Sequence, residues 1–139
     1  MDEVLFEVDA PVAPLTLNRP DRMNAITPSM LDRLSELLLQ CDVDRDVRVI
    51  VLTGAGRGFC AGLDLKDLSA GKNIGSDGSL GAGRFDLRSA PPIVLHQVDK
   101  PTVCALNGAA AGYGMDLALG CDVRIAGAGA KLAAAFTGR

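Results

Sequence analysis

The sequence predicts an α/β fold with a parallel sheet. Three apolar runs rich in β-branched residues have the length of buried strands, at 48–53, 102–106 and 122–126. Stretches with helical periodicity lie between them. Strands that alternate with helices in this way form right-handed crossover units, in which successive strands run parallel.

The N-terminal part predicts two strands and then a long helix. Residues 4–8 and 12–18 are two short apolar runs joined by a proline-containing turn, which indicates a hairpin. Thr27 and Pro28 are typical of a helix N-cap followed by proline at the first helical position. An amphipathic helix of roughly four turns follows, with one apolar face formed by Leu31, Leu34, Leu37, Leu38 and Cys41. Further helices are expected near 86–98 and 112–120.

Composition excludes several classes of function. The net charge is −3 with no basic stripe or aromatic platform, so a nucleic-acid partner is not expected. Four cysteines lie too far apart for metal-ligand pairs, which predicts reduced thiols, no metal and a cytoplasmic location. The acidic N-terminus does not resemble a signal peptide, and the longest apolar stretch, 102–119, contains Asn107, Asp116 and several glycines, so no membrane partner is expected.

Two glycine-bearing loops carry the candidate chemistry. The first is Phe59-Cys60-Ala61-Gly62-Leu63-Asp64-Leu65, and the second runs from Asn107 to Asp116. Each follows a predicted buried strand and leads toward a helix-forming stretch. Free N–H groups at such turns stabilise an oxygen that becomes negative during a reaction. One turn supplies one donor, and two adjacent turns make an oxyanion hole.

At these residues the chain resembles the crotonase (enoyl-CoA hydratase/isomerase) superfamily. The resemblance begins at Leu15-Thr16-Leu17-Asn18-Arg19-Pro20, passes through both loops and reaches Cys121-Asp122-Val123-Arg124. It implies an α/β fold of repeated ββα units. Because subunits of that family are about twice as long, we interpret residues 1–139 as the N-terminal part of a single crotonase-like domain.

The resemblance also implies roles for individual residues. The family's donors correspond to the N–H groups of Leu63 and Tyr113, and its substrate-contacting positions correspond to Ala61, Gly62, Asp64 and Gly112. For Asp64, accepting hydrogen bonds that hold the turn is the favoured role. The substrate is expected to be an acyl-CoA thioester, with no cofactor other than the coenzyme A of the substrate. A homo-oligomer, either a trimer or a dimer of trimers, is expected.

The proton-transfer residues depart from the hydratase pattern. Asp116 matches a catalytic glutamate and, from the first turn of a helix, can act as a general base or orient a water molecule. Favouring the helix dipole is the alternative role for Asp116. Phe136 stands at the family's second catalytic glutamate. A hydration that needs two carboxylates is therefore disfavoured, whereas double-bond migration, decarboxylation and thioester hydrolysis remain open.

Alternatives remain for the whole chain and for one segment. The chain can be an inactive, truncated homologue that binds acyl-CoA weakly or only assembles with partner subunits. The turn Thr53-Gly54-Ala55-Gly56-Arg57-Gly58 is similar to that of NAD(P)-binding short-chain dehydrogenases, but the only tyrosine lacks a lysine four residues later. The glycine-rich segment 69–83 is predicted to be a flexible loop, either beside the acyl pocket or remote from it.

Overall fold

The computed structural model describes residues 2–64 and 90–134. A five-stranded sheet has the order β1-β2-β3-β4-β6, in which β1 is antiparallel to β2 and the other neighbours are parallel. Its strands are β1 (Val4–Phe6), β2 (Val12–Leu17), β3 (Val49–Gly54), β4 (Thr102–Leu106) and β6 (Val123–Ala126). The predicted α/β class and parallel sheet are therefore confirmed.

Three α-helices and a second, small sheet complete the described architecture. The helices are α1 (Pro28–Val43), α2 (Pro91–Gln97) and α3 (Tyr113–Gly120), and a short 3₁₀ turn spans Pro20–Arg22. Helix α1 packs against β1, β2 and α2, and α2 packs against α3. The strands β5 (Ala110–Ala111) and β7 (Leu132–Ala133) pair in parallel. This small sheet was not among the predicted elements.

Alternation along the strands places the core on one face of the sheet. In β2 and β3 every second residue is buried and the residues between are half-buried. The core also includes the apolar face of α1 that its periodicity predicts. Thr27 caps α1, since its hydroxyl oxygen accepts the Met30 N–H at 3.2 Å, and Pro28 occupies the first turn as expected.

Some boundaries differ from the predictions. Strand β1 ends at Phe6 rather than at residue 8, because the next residue would face Pro14, which has no N–H to donate. Helix α2 spans Pro91–Gln97, and residues 86–89 of the helix predicted near 86–98 lie outside the described residues. The run 122–126 was predicted as a buried strand, but β6 lies at the edge of the described sheet and all four of its residues are exposed.

Candidate functional site

The two glycine-bearing loops lie side by side at the carboxyl ends of β3 and β4. The N–H groups of Phe59 and Cys60 both donate to the Ala109 carbonyl oxygen, at 3.0 and 3.2 Å. The Ala111 N–H donates back to the Cys60 carbonyl oxygen at 3.0 Å. These three backbone bonds join the loops as a short parallel bridge between Cys60 and Ala110. The close approach that the sequence predicts for the two turns is thus present.

Both Ala-Gly glycines occupy backbone conformations that favour glycine. Gly62 has a φ of +108° and Gly112 a φ of +55°. A Cβ atom on Gly62 would lie 3.1 Å from the Ala111 carbonyl oxygen and 3.8 Å from the Tyr113 nitrogen. The first turn therefore packs directly against the beginning of α3, and a Cβ atom at residue 62 would make a tight contact with Ala111.

The orientations of the Leu63 and Tyr113 N–H groups follow from their peptide planes. The Gly62 carbonyl oxygen accepts the Ile26 N–H at 2.7 Å, and the N–H of a trans peptide points away from its carbonyl. Likewise, the Gly112 carbonyl oxygen accepts the N–H groups of Met115 and Asp116 in the first turn of α3. The Tyr113 N–H, in the same peptide, therefore points away from the helix at its N-terminal end. Within 2–64 and 90–134, neither N–H donates a hydrogen bond to another residue.

The segment before α1, residues 19–25, is joined to the first loop by hydrogen bonds. The Arg19 guanidinium donates to Asp64 Oδ2 at 3.0 Å and to the Ala25 carbonyl oxygen at 2.6 Å. The Asp64 side chain is only 11% exposed. The Ala61 N–H donates to the Met23 carbonyl oxygen at 2.9 Å. The Asp64 carboxylate therefore ties the first loop to the segment before α1, while Ala61 is exposed and Leu63 packs partly against the core.

Asp116 and Tyr113 share the first turn of α3. Asp116 is exposed, and its backbone N–H donates to the Gly112 carbonyl oxygen at 3.2 Å. The Tyr113 hydroxyl is buried and has no hydrogen-bond partner within the described part of the chain. Burial, with a smaller contribution from the Asp116 charge, raises the pKa of Tyr113. The Asp116 carboxylate therefore lies close enough to Tyr113 to influence it electrostatically.

Several other predicted features can be placed. All four cysteines are buried and free, as the sequence predicts. Phe136 and the glycine-rich segment 69–83 lie outside the described residues. In the two described ranges, no group of three or more His, Cys, Asp or Glu side chains is arranged to hold a metal ion. No helix among those described is long and apolar enough to cross a membrane.

Sequence reasoning missed two asparagines that contact the first loop. Asn24 is fully buried, and Asn107 is exposed at the start of the second loop. The side-chain amides of both residues donate to the Gly58 carbonyl oxygen, at 3.0 and 3.1 Å. Burial of an asparagine cannot be read from its own position. Asn24 has a positive φ of +57°, a conformation in which asparagine is enriched, so its residue type was the local signal that the sequence offered.

Comparisons with known proteins decide the family. A family model described as enoyl-CoA hydratase/isomerase matches residues 7–138. The chain belongs to the enoyl-CoA hydratase/isomerase family. It is 44% identical over 140 residues to 1,2-epoxyphenylacetyl-CoA isomerase of Escherichia coli, covering 99% of this chain and 52% of that protein. It is 43% identical to the probable enoyl-CoA hydratase EchA14 of Mycobacterium tuberculosis, covering 97% of this chain and 51% of that protein.

Solved structures agree with that assignment. The crystal structure of the enoyl-CoA hydratase EchA8_6 from Mycobacterium marinum superposes with a TM-score of 0.81 at 34% identity, covering 94% of this chain and 60% of that one. The fold is therefore a crotonase fold, and residues 2–64 and 90–134 belong to its N-terminal portion. The chain spans about half the length of the curated relatives it matches.

Proposed function

We propose that the protein containing this chain is an acyl-CoA enzyme of the hydratase/isomerase type, which stabilises a thioester enolate in a backbone oxyanion hole. The observation that carries the proposal is the pair of Ala-Gly turns. Gly62 and Gly112 both have positive φ, and a Cβ atom on Gly62 would lie 3.8 Å from the Tyr113 nitrogen. The relatives named above act on CoA thioesters according to their names. The expected substrate is therefore an acyl-CoA.

In this mechanism the N–H groups of Leu63 and Tyr113 donate to the thioester carbonyl oxygen. Loss of a proton from the carbon chain moves negative charge onto that oxygen, and both hydrogen bonds strengthen as the charge develops. Donors that bind the transition state more strongly than the substrate lower the barrier. The positive end of the α3 dipole, close to Tyr113, adds to the stabilisation. The substrate-binding positions around this carbonyl are Ala61, Gly62, Asp64 and Gly112.

Asp116 is the group proposed to move the proton. It lies on the exposed side of the first turn of α3, and in the described residues no side chain or backbone N–H donates to its carboxylate. A carboxylate without a fixed partner can accept a proton from one substrate carbon and return it to another, which shifts the double bond with no net change in atoms. This chemistry needs only one carboxylate.

The sequence favours isomerisation over hydration. Hydration of a 2-enoyl thioester adds water at one carbon and a proton at the next, which two carboxylates accomplish more readily than one. Phe136 cannot transfer a proton. The relative with 44% identity is named an isomerase, and the relative with 43% identity a probable hydratase. The competing proposal is an inactive homologue. The homo-oligomeric state and the cytoplasmic location of the protein remain expectations.

The test is turnover of two thioesters by the natural polypeptide. A 3-enoyl-CoA gains the absorbance of the conjugated thioester on isomerisation, whereas a 2-enoyl-CoA loses it on hydration. We expect the first signal, with little of the second, and we expect Asp116→Asn to abolish it. The matched control is Asp46→Asn, because Asp46 is also exposed but lies in the turn after α1. Rapid hydration, or full activity of Asp116→Asn, would refute the assigned roles. Activity on neither substrate would favour the inactive homologue.

A further inference from the structure

One peptide group, between Gly58 and Phe59, links the first loop to two other parts of the chain, the segment before α1 and the second loop. Its carbonyl oxygen accepts the side-chain amides of Asn24 at 3.0 Å and Asn107 at 3.1 Å. Its N–H, which belongs to Phe59 and points the opposite way within the peptide plane, donates to the Ala109 carbonyl oxygen at 3.0 Å. The peptide is therefore held from both sides, by two asparagines and by the backbone of the second loop.

The Asn24 side chain is held in place by other residues as well as by this peptide. It is fully buried, and its Oδ1 accepts the Arg19 N–H at 2.7 Å. Its Nδ2 donates both hydrogens, one to Gly58 and one to the Ala55 carbonyl oxygen at 2.9 Å. An amide with both donors and its acceptor engaged has one orientation. Asn24 thus connects the segment before α1 to the loop after β3.

The Asn107 side chain makes the corresponding connection from the second loop. Its Oδ1 accepts the Gly54 N–H at the end of β3 at 3.1 Å. Its Nδ2 donates to the Gly56 and Gly58 carbonyl oxygens, both at 3.1 Å. The end of β3 and the loop that follows it are therefore tied to the residue at which the second loop begins.

We propose that Asn24 and Asn107 are positioning residues that set the distance between the Leu63 and Tyr113 N–H groups. They do so by holding the Gly58 carbonyl, four residues before Gly62, against the loop that leads to Tyr113. The inference rests on the proposed function for its catalytic consequence. A displacement of about 1 Å in such a site can lower turnover about 10²-fold, while substrate contacts elsewhere remain.

Substitution by aspartate tests the donor half of each side chain. Asn107→Asp and Asn24→Asp keep the acceptor oxygen and remove the amide donors to Gly58. We expect kcat to fall about 10²-fold with KM nearly unchanged. The carbonyl stretching frequency of a bound ¹³C-labelled acyl-CoA should move back toward that of the free thioester. The matched control is Asn18→Asp, since the Asn18 amide donates to the Asp2 carbonyl oxygen at an exposed position and reaches neither loop.

Amide hydrogen exchange separates this inference from the proposed function. In Asn107→Asp, the Phe59 and Cys60 amides should exchange faster than in the wild type, with no change in Asn18→Asp. An inactive wild type with this exchange pattern would refute the proposed function and support the positioning role. Unchanged exchange, or an active wild type whose kcat and carbonyl frequency survive both substitutions, would overturn the positioning role. If Asn24→Asp does not fold, the exposed Asn107→Asp decides the question.

Discussion

The Ile26 N–H donates to the Gly62 carbonyl oxygen at 2.7 Å, and this bond determines where the next N–H points. Because the two groups of the Gly62–Leu63 peptide face opposite ways, Ile26 turns the Leu63 N–H away from the segment before α1. The donor is thus oriented by backbone atoms, and the side chain at residue 63 has no part in it. The same holds at Tyr113, where the helix itself fixes the Gly112 carbonyl.

Replacing Tyr113 with proline should remove one donor of the proposed hole. Tyr113 is the first residue of α3, where an N–H has no partner within the helix and where proline is tolerated. We expect turnover to fall by ~10²–10³, about 2.7–4 kcal/mol of transition-state stabilisation. Steady-state kinetics on the natural polypeptide measures the effect, with circular dichroism to verify folding.

Tyr113→Ala is the matched control for that experiment. It removes the same phenol ring and its packing but keeps the backbone N–H. Turnover of Tyr113→Ala should therefore exceed that of Tyr113→Pro by at least tenfold, by the same donor argument. Equal losses in both variants would mean that the side chain, and not the N–H, is what matters at this position.

Replacing Gly62 with alanine should strain the first turn. Its φ of +108° is a conformation that side chains rarely adopt, and the new Cβ would lie 3.1 Å from the Ala111 carbonyl oxygen. A residue held in such a conformation costs about 1–3 kcal/mol, so the free energy of unfolding should fall by that order. Urea titration measures it. Gly129→Ala is the control, because its Cβ would meet no atom of the described residues within 4 Å. A comparable loss of stability in that variant would contradict the prediction.

The sequence was sufficient for the strands of the five-stranded sheet and for α1, because each depends on a local pattern. The adjacency of the two turns followed from their positions after neighbouring strands. Short apolar runs predicted β2 and β3, and Thr27 with Pro28 marked the start of α1. The contacts that join separate segments were not predictable in the same way. The bond from Ile26 to Gly62 depends on which segments the fold brings together, and no local pattern encodes that.

The polar residues near the loops could not be ranked from the sequence. Asp64 drew attention by its position in a motif, yet its partner Arg19 lies 45 residues earlier. Asn24 and Asn107 make contacts with the first loop across 34 and 49 residues respectively. Asparagines are common in turns for local reasons, so their long-range role was hidden. The catalytic roles of Leu63, Tyr113 and Asp116 stay predictions that the kinetic experiments test.

The thiol of Cys60 should make the protein less stable at alkaline pH. Burial raises its pKa to about 11 from an ordinary value of 9.0. The unfolded chain therefore loses this proton first, so the stabilisation is complete below about pH 9 and is lost as pH rises through about 11. Cys60→Ala should make the decline shallower by up to about 1.4 kcal/mol per pH unit in that window. Urea titrations from pH 8 to 11 measure the slope, and an unchanged slope would contradict the prediction.

Lys100 should stabilise the fold by capping the C-terminal end of α1. Its Nζ donates to the Cys41 carbonyl oxygen at 2.7 Å and to that of Asp44, and its backbone N–H donates to Asp42 Oδ1. A cation that bonds the last carbonyls of a helix also favours the helix dipole. Lys100→Met keeps most of the aliphatic chain and should lower the free energy of unfolding by about 1.5–3 kcal/mol, measured from the urea midpoint at unchanged slope.

Arg33→Met is the control for Lys100, because it removes a cation that lies on α1 itself and away from the C-terminal end of that helix. Arg33 forms an ion pair with Glu36 at 3.4 Å, and both side chains are more than half exposed. Exposed pairs of this kind contribute little, so we expect a change below about 0.5 kcal/mol. If the two substitutions were equally harmful, the loss would come from removing positive charge in general. If only Lys100→Met is destabilising, the bonds to the end of α1 are responsible.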